Sequence, residues 1–146
     1  MAEKKVIPDE IDRMVEKVYF SNKDLLKNFK EIKKIAVENG IFPASLHNTY
    51  KEFGKRKLEF TVPAFNIRFL PYHTMRSIFR KAVEMEAGWF IMEIAKSEIG
   101  YTGHSPLMYS FLVLASALRE GFAGPVFIQA DHFQLDRKKF FENPDE

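Results

Sequence analysis

Between Phe60 and Asp131 the chain alternates three short apolar runs with two stretches of helical period, and that alternation narrows the fold more than any other feature. The runs FTVPAFNI, WFIMEIA and PVFIQA are too brief for core helices and are rich in β-branched and aromatic residues, as strands are. Between the first two, a helix is expected from Thr74 as N-cap, with Met75, Ile78, Phe79, Ala82 and Val83 on one face and Gly88 just past its end. Between the second and third, Ser105-Pro106 reads as a capping residue followed by proline at the first helical position. Leu107, Phe111, Leu114, Ala115 and Leu118 give that helix its apolar stripe, and Gly121 closes it. Strands joined by helices imply a parallel sheet, because parallel neighbours need a long crossover. Pro63 has no N–H to give to a ladder, so the first strand fits a central position only with a bulge there.

Before the alternation, residues 8 to 38 carry apolar positions at three- and four-residue steps: Ile11, Met14, Val15 and Val18, then Leu25, Leu26, Phe29, Ile32, Ile35 and Ala36. Two helices are expected, separated at Ser21-Asn22 and stopped at Asn39-Gly40, with Pro43 preventing resumption. A weaker short helix is expected from Ser45 to Phe53, followed by Gly54 and a basic turn, Lys55-Arg56-Lys57. Residues 1–58 thus read as a helical N-terminal extension and 59–146 as the start of a second unit. Such an extension must bury its apolar faces on that unit or across a dimer interface. After the third strand, Leu135 to Glu146 offers one polar helical start and no further strand. Three parallel strands alone leave an unprotected edge. The expectation is an α/β fold, a partial (β/α)8 TIM barrel holding the first three βα units, with more barrel after residue 146 or supplied by another chain. A small autonomous sheet covered by the N-terminal helices is the alternative.

Composition removes several function classes. Without cysteine there is no disulfide framework, thiolate metal site or thiol nucleophile, so metal chemistry would fall to His, Asp, Glu or water. Twenty-two basic against twenty acidic residues, scattered rather than blocked, argue against nucleic acid as a partner. No stretch approaches the ~18 apolar residues a membrane-spanning helix needs, and the N-terminus is charged, so a cytoplasmic location is the default expectation.

In parallel barrels functional groups collect at the carboxyl ends of the strands. That rule selects Asn66 and Arg68 after the first strand, Ser97, Glu98, Tyr101 and His104 after the second, and Gln129, Asp131 and His132 at the third. Adjacent Asp131 and His132 are the most informative pair, since one can face a metal while the other moves protons; a strand-end Asp capping a turn beside a packed His is the plainer reading. A three-histidine site from His73, His104 and His132 is conceivable, but His73 and His104 fall where surface exposure is expected. Phe79, Trp89, Phe90, Phe111 and Phe127 read as packing residues.

From about residue 60 to 134 the sequence resembles the class II, metal-dependent fructose-bisphosphate aldolase family, through VPAFNI, EIAKSEIGYTG and GPVFIQADH. SEIGYTG is similar to a divergent branch of that family with a helical N-terminal extension. The resemblance implies a TIM barrel, Asp131 as the proton-transfer residue, His132 as a zinc ligand, and Asn66 near the substrate. It places Ser97 at the substrate too, although Glu93 to Ser97 departs from the family's Gln-x-Ser spacing. The implied reaction is reversible cleavage of a phosphorylated ketose, such as fructose 1,6-bisphosphate, to dihydroxyacetone phosphate and an aldehyde. A divalent cation would stabilise the enediolate as a Lewis acid. The family's other histidine ligands and its glycine-rich phosphate loops come from later strands, so this stretch alone is expected to be inactive. A non-catalytic half-barrel and another metal-dependent barrel enzyme stay open beside the aldolase.

Overall fold

The computed structural model describes residues 8–21, 24–59, 61–134 and 136–143. Two amphipathic helices come first, α1 (Pro8–Ser21) and α2 (Leu25–Glu38). The expected break between them includes Asn22, which lies outside the described residues, as do Phe60 at the expected start of the first strand and Leu135 in the tail. Gly40 closes α2 in the left-handed region, φ 76°, which glycine enters without a Cβ clash.

The chain then enters a strand that the sequence reading missed, β1 (Ile41–Ala44). It pairs in parallel with the last strand, Ile41 opposite Gly124 through Ala44 opposite Phe127, so the sheet has four strands rather than three. Helix α3 (His47–Arg56) follows and runs straight through Gly54, so Lys55 and Arg56 lie in its last turn rather than in a loop. The basic end suits the negative pole of the helix dipole. Strand β2 (Ala64–Asn66) is shorter than FTVPAFNI suggested. Pro63 stands just before it and contributes only its carbonyl, which accepts from Ile91 N–H at 2.9 Å. No bulge is needed, because β2 is an edge strand.

Helix α4 (Pro71–Glu84) begins three residues before the expected cap: Pro71 takes the first helical turn, and the Thr74 hydroxyl donates back to Phe69 O at 3.0 Å. Strand β3 (Ile91–Ala95) passes directly into the short helix α5 (Lys96–Thr102), which adds to the two helices expected between the strands. Helix α6 (Pro106–Arg119) opens as expected, with Ser105 Oγ accepting from Met108 N–H at 3.2 Å. Strand β4 (Gly124–Asp131) and the short polar helix α7 (Arg137–Glu142) complete the described chain.

All four strands are parallel, in the order β1-β4-β3-β2. The described strands form an open α/β sheet, whose outer strands are β1 and β2. Helix α6 is the centre of the packing. Every residue from Phe111 to Ala117 is buried, as befits a helix apolar all round, because it is walled by the sheet and by α1, α2 and α4. The N-terminal helices therefore bury most of their stripes within this chain, with Leu26 left exposed: Ile11, Val15 and Val18 of α1 and Ile32 and Ala36 of α2 join the same core as Met92, Ile94 and Val126.

On the opposite face of the sheet Ile91 and Phe127 pack with Leu46 in a second, small cluster. Trp89, half exposed, stacks on Phe127 with ring centroids 5.8 Å apart and meets Phe53 of α3 at 6.4 Å. Alternation along the strands puts Asn66, Glu93 and Asp131 on this less covered face.

Candidate functional site

The carboxyl ends of β2, β3 and β4 lie side by side, and the register decides which side chains meet there. Asn66 is opposite Glu93, and Ala95 is opposite Asp131. Asn66 and Asp131 are thus separated by a whole strand, yet Asn66 Nδ2 lies 3.5 Å from Asp131 Oδ2. The small side chain of Ala95 beside Asp131 leaves room for that approach. On the other side of the carboxylate, Oδ1 is 3.4 Å from His132 Nε2.

His132 is the first residue beyond β4 and takes φ 49°, a left-handed conformation that non-glycine residues adopt at some energetic expense. The turn throws its imidazole outward, where the side chain is 79% exposed while Asp131 is 27% exposed. Three of the sequence candidates, Asn66, Asp131 and His132, are therefore brought together at the carboxyl end of the sheet.

The fourth is not. Ser97 is exposed in the first turn of α5 and makes no hydrogen bond with the cluster. Its neighbour Glu98 turns inward instead and is only 3% exposed. Glu98 Oε2 accepts from the backbone N–H of Ala95 at 2.8 Å and from Asn66 Nδ2 at 3.2 Å. Its Oε1 accepts from Arg68 Nε at 2.6 Å. Burial alone would push the Glu98 carboxyl up, but these donors together hold it below the usual carboxylate value. Arg68 just after β2 and Glu98 in the first turn of α5 both belong to the set that the strand-end rule selects from the sequence.

Glu93 is a site residue that the sequence reading did not select, because it lies inside a strand rather than after one. Burial, reinforced by the charges of Asp131 and Glu98, raises its carboxyl above the usual value. The cluster therefore combines a carboxyl biased toward its protonated form, a deeply held carboxylate, and the Asp131–His132 pair.

The three-histidine arrangement is not formed. His73 is exposed, whereas His104, expected in an exposed turn, is buried because α1 packs beside it. Its Nε2 lies 3.2 Å from the Tyr19 hydroxyl, and its Nδ1 is buried without a partner. Among the described residues no three His, Asp or Glu side chains are placed to share a metal ion. His132 alone does not make a zinc site, which takes three or four ligands.

No family model matches the chain, and no match to it was found among curated proteins or solved structures. Among the described residues no helix is long and apolar enough to cross a membrane.

Proposed function

We propose that this chain contributes the proton-transfer part of a zinc-dependent class II sugar-bisphosphate aldolase. The reading is carried by one observation: Asn66, Asp131 and His132, the residues that the family resemblance singles out, meet at the carboxyl ends of parallel strands. In this reading the sheet is the opening part of a TIM barrel, and its substrate is a phosphorylated ketose. Asp131 exchanges the proton of the substrate hydroxyl next to the breaking carbon–carbon bond, since a carboxylate within hydrogen-bond reach is suited to that transfer. Asn66 orients Asp131 through its NH2, and its amide oxygen is left to accept from a substrate hydroxyl. His132 is exposed and free to turn toward a zinc ion, for which further βα units must bring the other ligands.

The decisive experiment is zinc titration by calorimetry on this chain and on the longest chain its gene encodes, each with and without His132→Ala. Tight binding in the longer protein alone, abolished by the substitution, supports the reading. So does loss of fructose 1,6-bisphosphate cleavage in Asp131→Ala with zinc still bound. Tight zinc binding that ignores His132 overturns it.

A second reading is favoured by the position of β1. It covers the first half of the β4 edge, Gly124 to Phe127, where the next barrel strand would pair. A chain that covers its own β4 edge in this way suits a non-catalytic half-barrel module, which predicts stable folding with no zinc binding at any length.

A further inference from the structure

Glu98 is the most deeply buried carboxylate of the cluster, and its bonds tie two strand ends to one helix start. We infer that Glu98 is a positioning residue that acts on Asp131 through the side-chain amide of Asn66. The chemical importance of that action rests on the proton-transfer role proposed for Asp131; the wiring itself does not.

An asparagine amide can face a carboxylate with either its NH2 or its oxygen, and only the NH2 is favourable. Asn66 Nδ2 is shared between Glu98 Oε2 at 3.2 Å and Asp131 Oδ2 at 3.5 Å, one hydrogen for each. Glu98 itself cannot turn away, because Ala95 N–H holds the same Oε2 at 2.8 Å and Arg68 holds Oε1 at 2.6 Å. Its charge therefore fixes the NH2 of Asn66 toward both carboxylates. Asp131 is in consequence held by Oδ2, while Oδ1 is left on the side of His132. Without Glu98 the amide loses its shorter bond, and only the longer, weaker one to Asp131 remains to orient it.

A simpler role exists for Glu98, as the residue that ties the start of α5 through Ala95 N–H. The two roles move different atoms. The test is side-chain NMR of this chain at one fixed neutral pH, following the Asn66 NH2 signals and the Asp131 carboxyl carbon in Glu98→Ala, Glu98→Gln and Arg68→Ala.

In Glu98→Ala the Asn66 NH2 signals should move and exchange about tenfold faster, the loss of one charge-assisted hydrogen bond, and the Asp131 carbon should shift with them. Glu98→Gln should restore both only in part, because its amide oxygen can replace Oε2 toward Ala95 and Asn66 without the charge, while its NH2 displaces the exposed Arg68. Arg68→Ala should move both less than Glu98→Ala does, because Ala95 N–H still holds Oε2. Signals of Asn66 and Asp131 that stay in place in Glu98→Ala while the α5 backbone shifts would reduce Glu98 to a helix cap and overturn the inference.

Should Glu98→Ala not fold, Asn66→Ala tests the same link without touching α5. An unmoved Asp131 carbon in that variant also overturns it. Neither zinc nor substrate enters these measurements, so a failure here is separate from a failure of the aldolase reading, which the zinc titration decides.

Discussion

Ile11 and Asp12 are neighbours on α1 with different anchors, and replacing each by alanine weighs apolar burial against an ion network as the force that holds this helix in place. Ile11 is 1% exposed in the core shared with α6. Truncation there loses the transfer free energy of the side chain and leaves a partly unfilled space, together about 3–4 kcal/mol. Asp12 accepts from the Tyr72 hydroxyl at 2.6 Å and from Arg119 Nε at 3.0 Å. Its side chain is 38% exposed, however, and a groove of about 400 Å³ opens beside both Asp12 and Tyr72. Solvent screens the ion pair to at most about 1 kcal/mol, and water can reach the phenol, so Asp12→Ala should cost about 1–2 kcal/mol in all. The assay is urea unfolding followed by circular dichroism, read at constant m-value. Ile11→Ala should lower the midpoint about twice as far as Asp12→Ala, the ratio of those two estimates. Equal losses, or a larger one for Asp12→Ala, would refute the view that α1 is held chiefly by its buried stripe.

Three further outcomes are expected. Burial lowers the pKa of His104 from its ordinary 6.5, so the unfolded chain takes up that proton first and stability falls as pH drops through 6.5 toward the folded value. His104→Gln should therefore reduce the loss of melting temperature between about pH 7.5 and about pH 5.5; an unchanged loss by calorimetry would contradict the burial of the ring. The raised pKa of Glu93 has the opposite sense: its ionised form weakens the fold at neutral pH, and the penalty disappears as pH falls through the folded value. Glu93→Gln should raise the urea midpoint at neutral pH and lose that advantage in acid, whereas an equal gain at both would point to packing instead. Ser105→Ala removes the acceptor for Met108 N–H and should destabilise the chain by about 1 kcal/mol in chemical denaturation.

Signals carried by a residue and its immediate neighbours were legible in the sequence. Ser105-Pro106 marks the start of α6 because a hydroxyl and a fixed φ act within one turn, and Gly40 ends α2 because only a left-handed residue suits that stop. The strand–helix alternation was readable for the same reason, as were the residues at the strand ends, since a strand's apolar run shows where it finishes. Strand β1 was not legible. IFPA is short, holds a proline and has no alternation of its own; it becomes a strand because β4 supplies the ladder, beginning where Gly124 N–H donates to Gly40 O at 2.9 Å.

Local sequence also misjudged His104, whose burial comes from α1, 85 residues away at Tyr19. The membership of the site was decided in the same way. Asn66, Glu98 and Asp131 are 32 and 65 positions apart by the bonds that join them, and Glu93 belongs with them only through the β2–β3–β4 register. By itself the sequence determined the elements whose stabilising contacts lie within a few residues. Which side chains share one end of the sheet was left to the tertiary structure, because strand register and helix packing are set by contacts between distant segments.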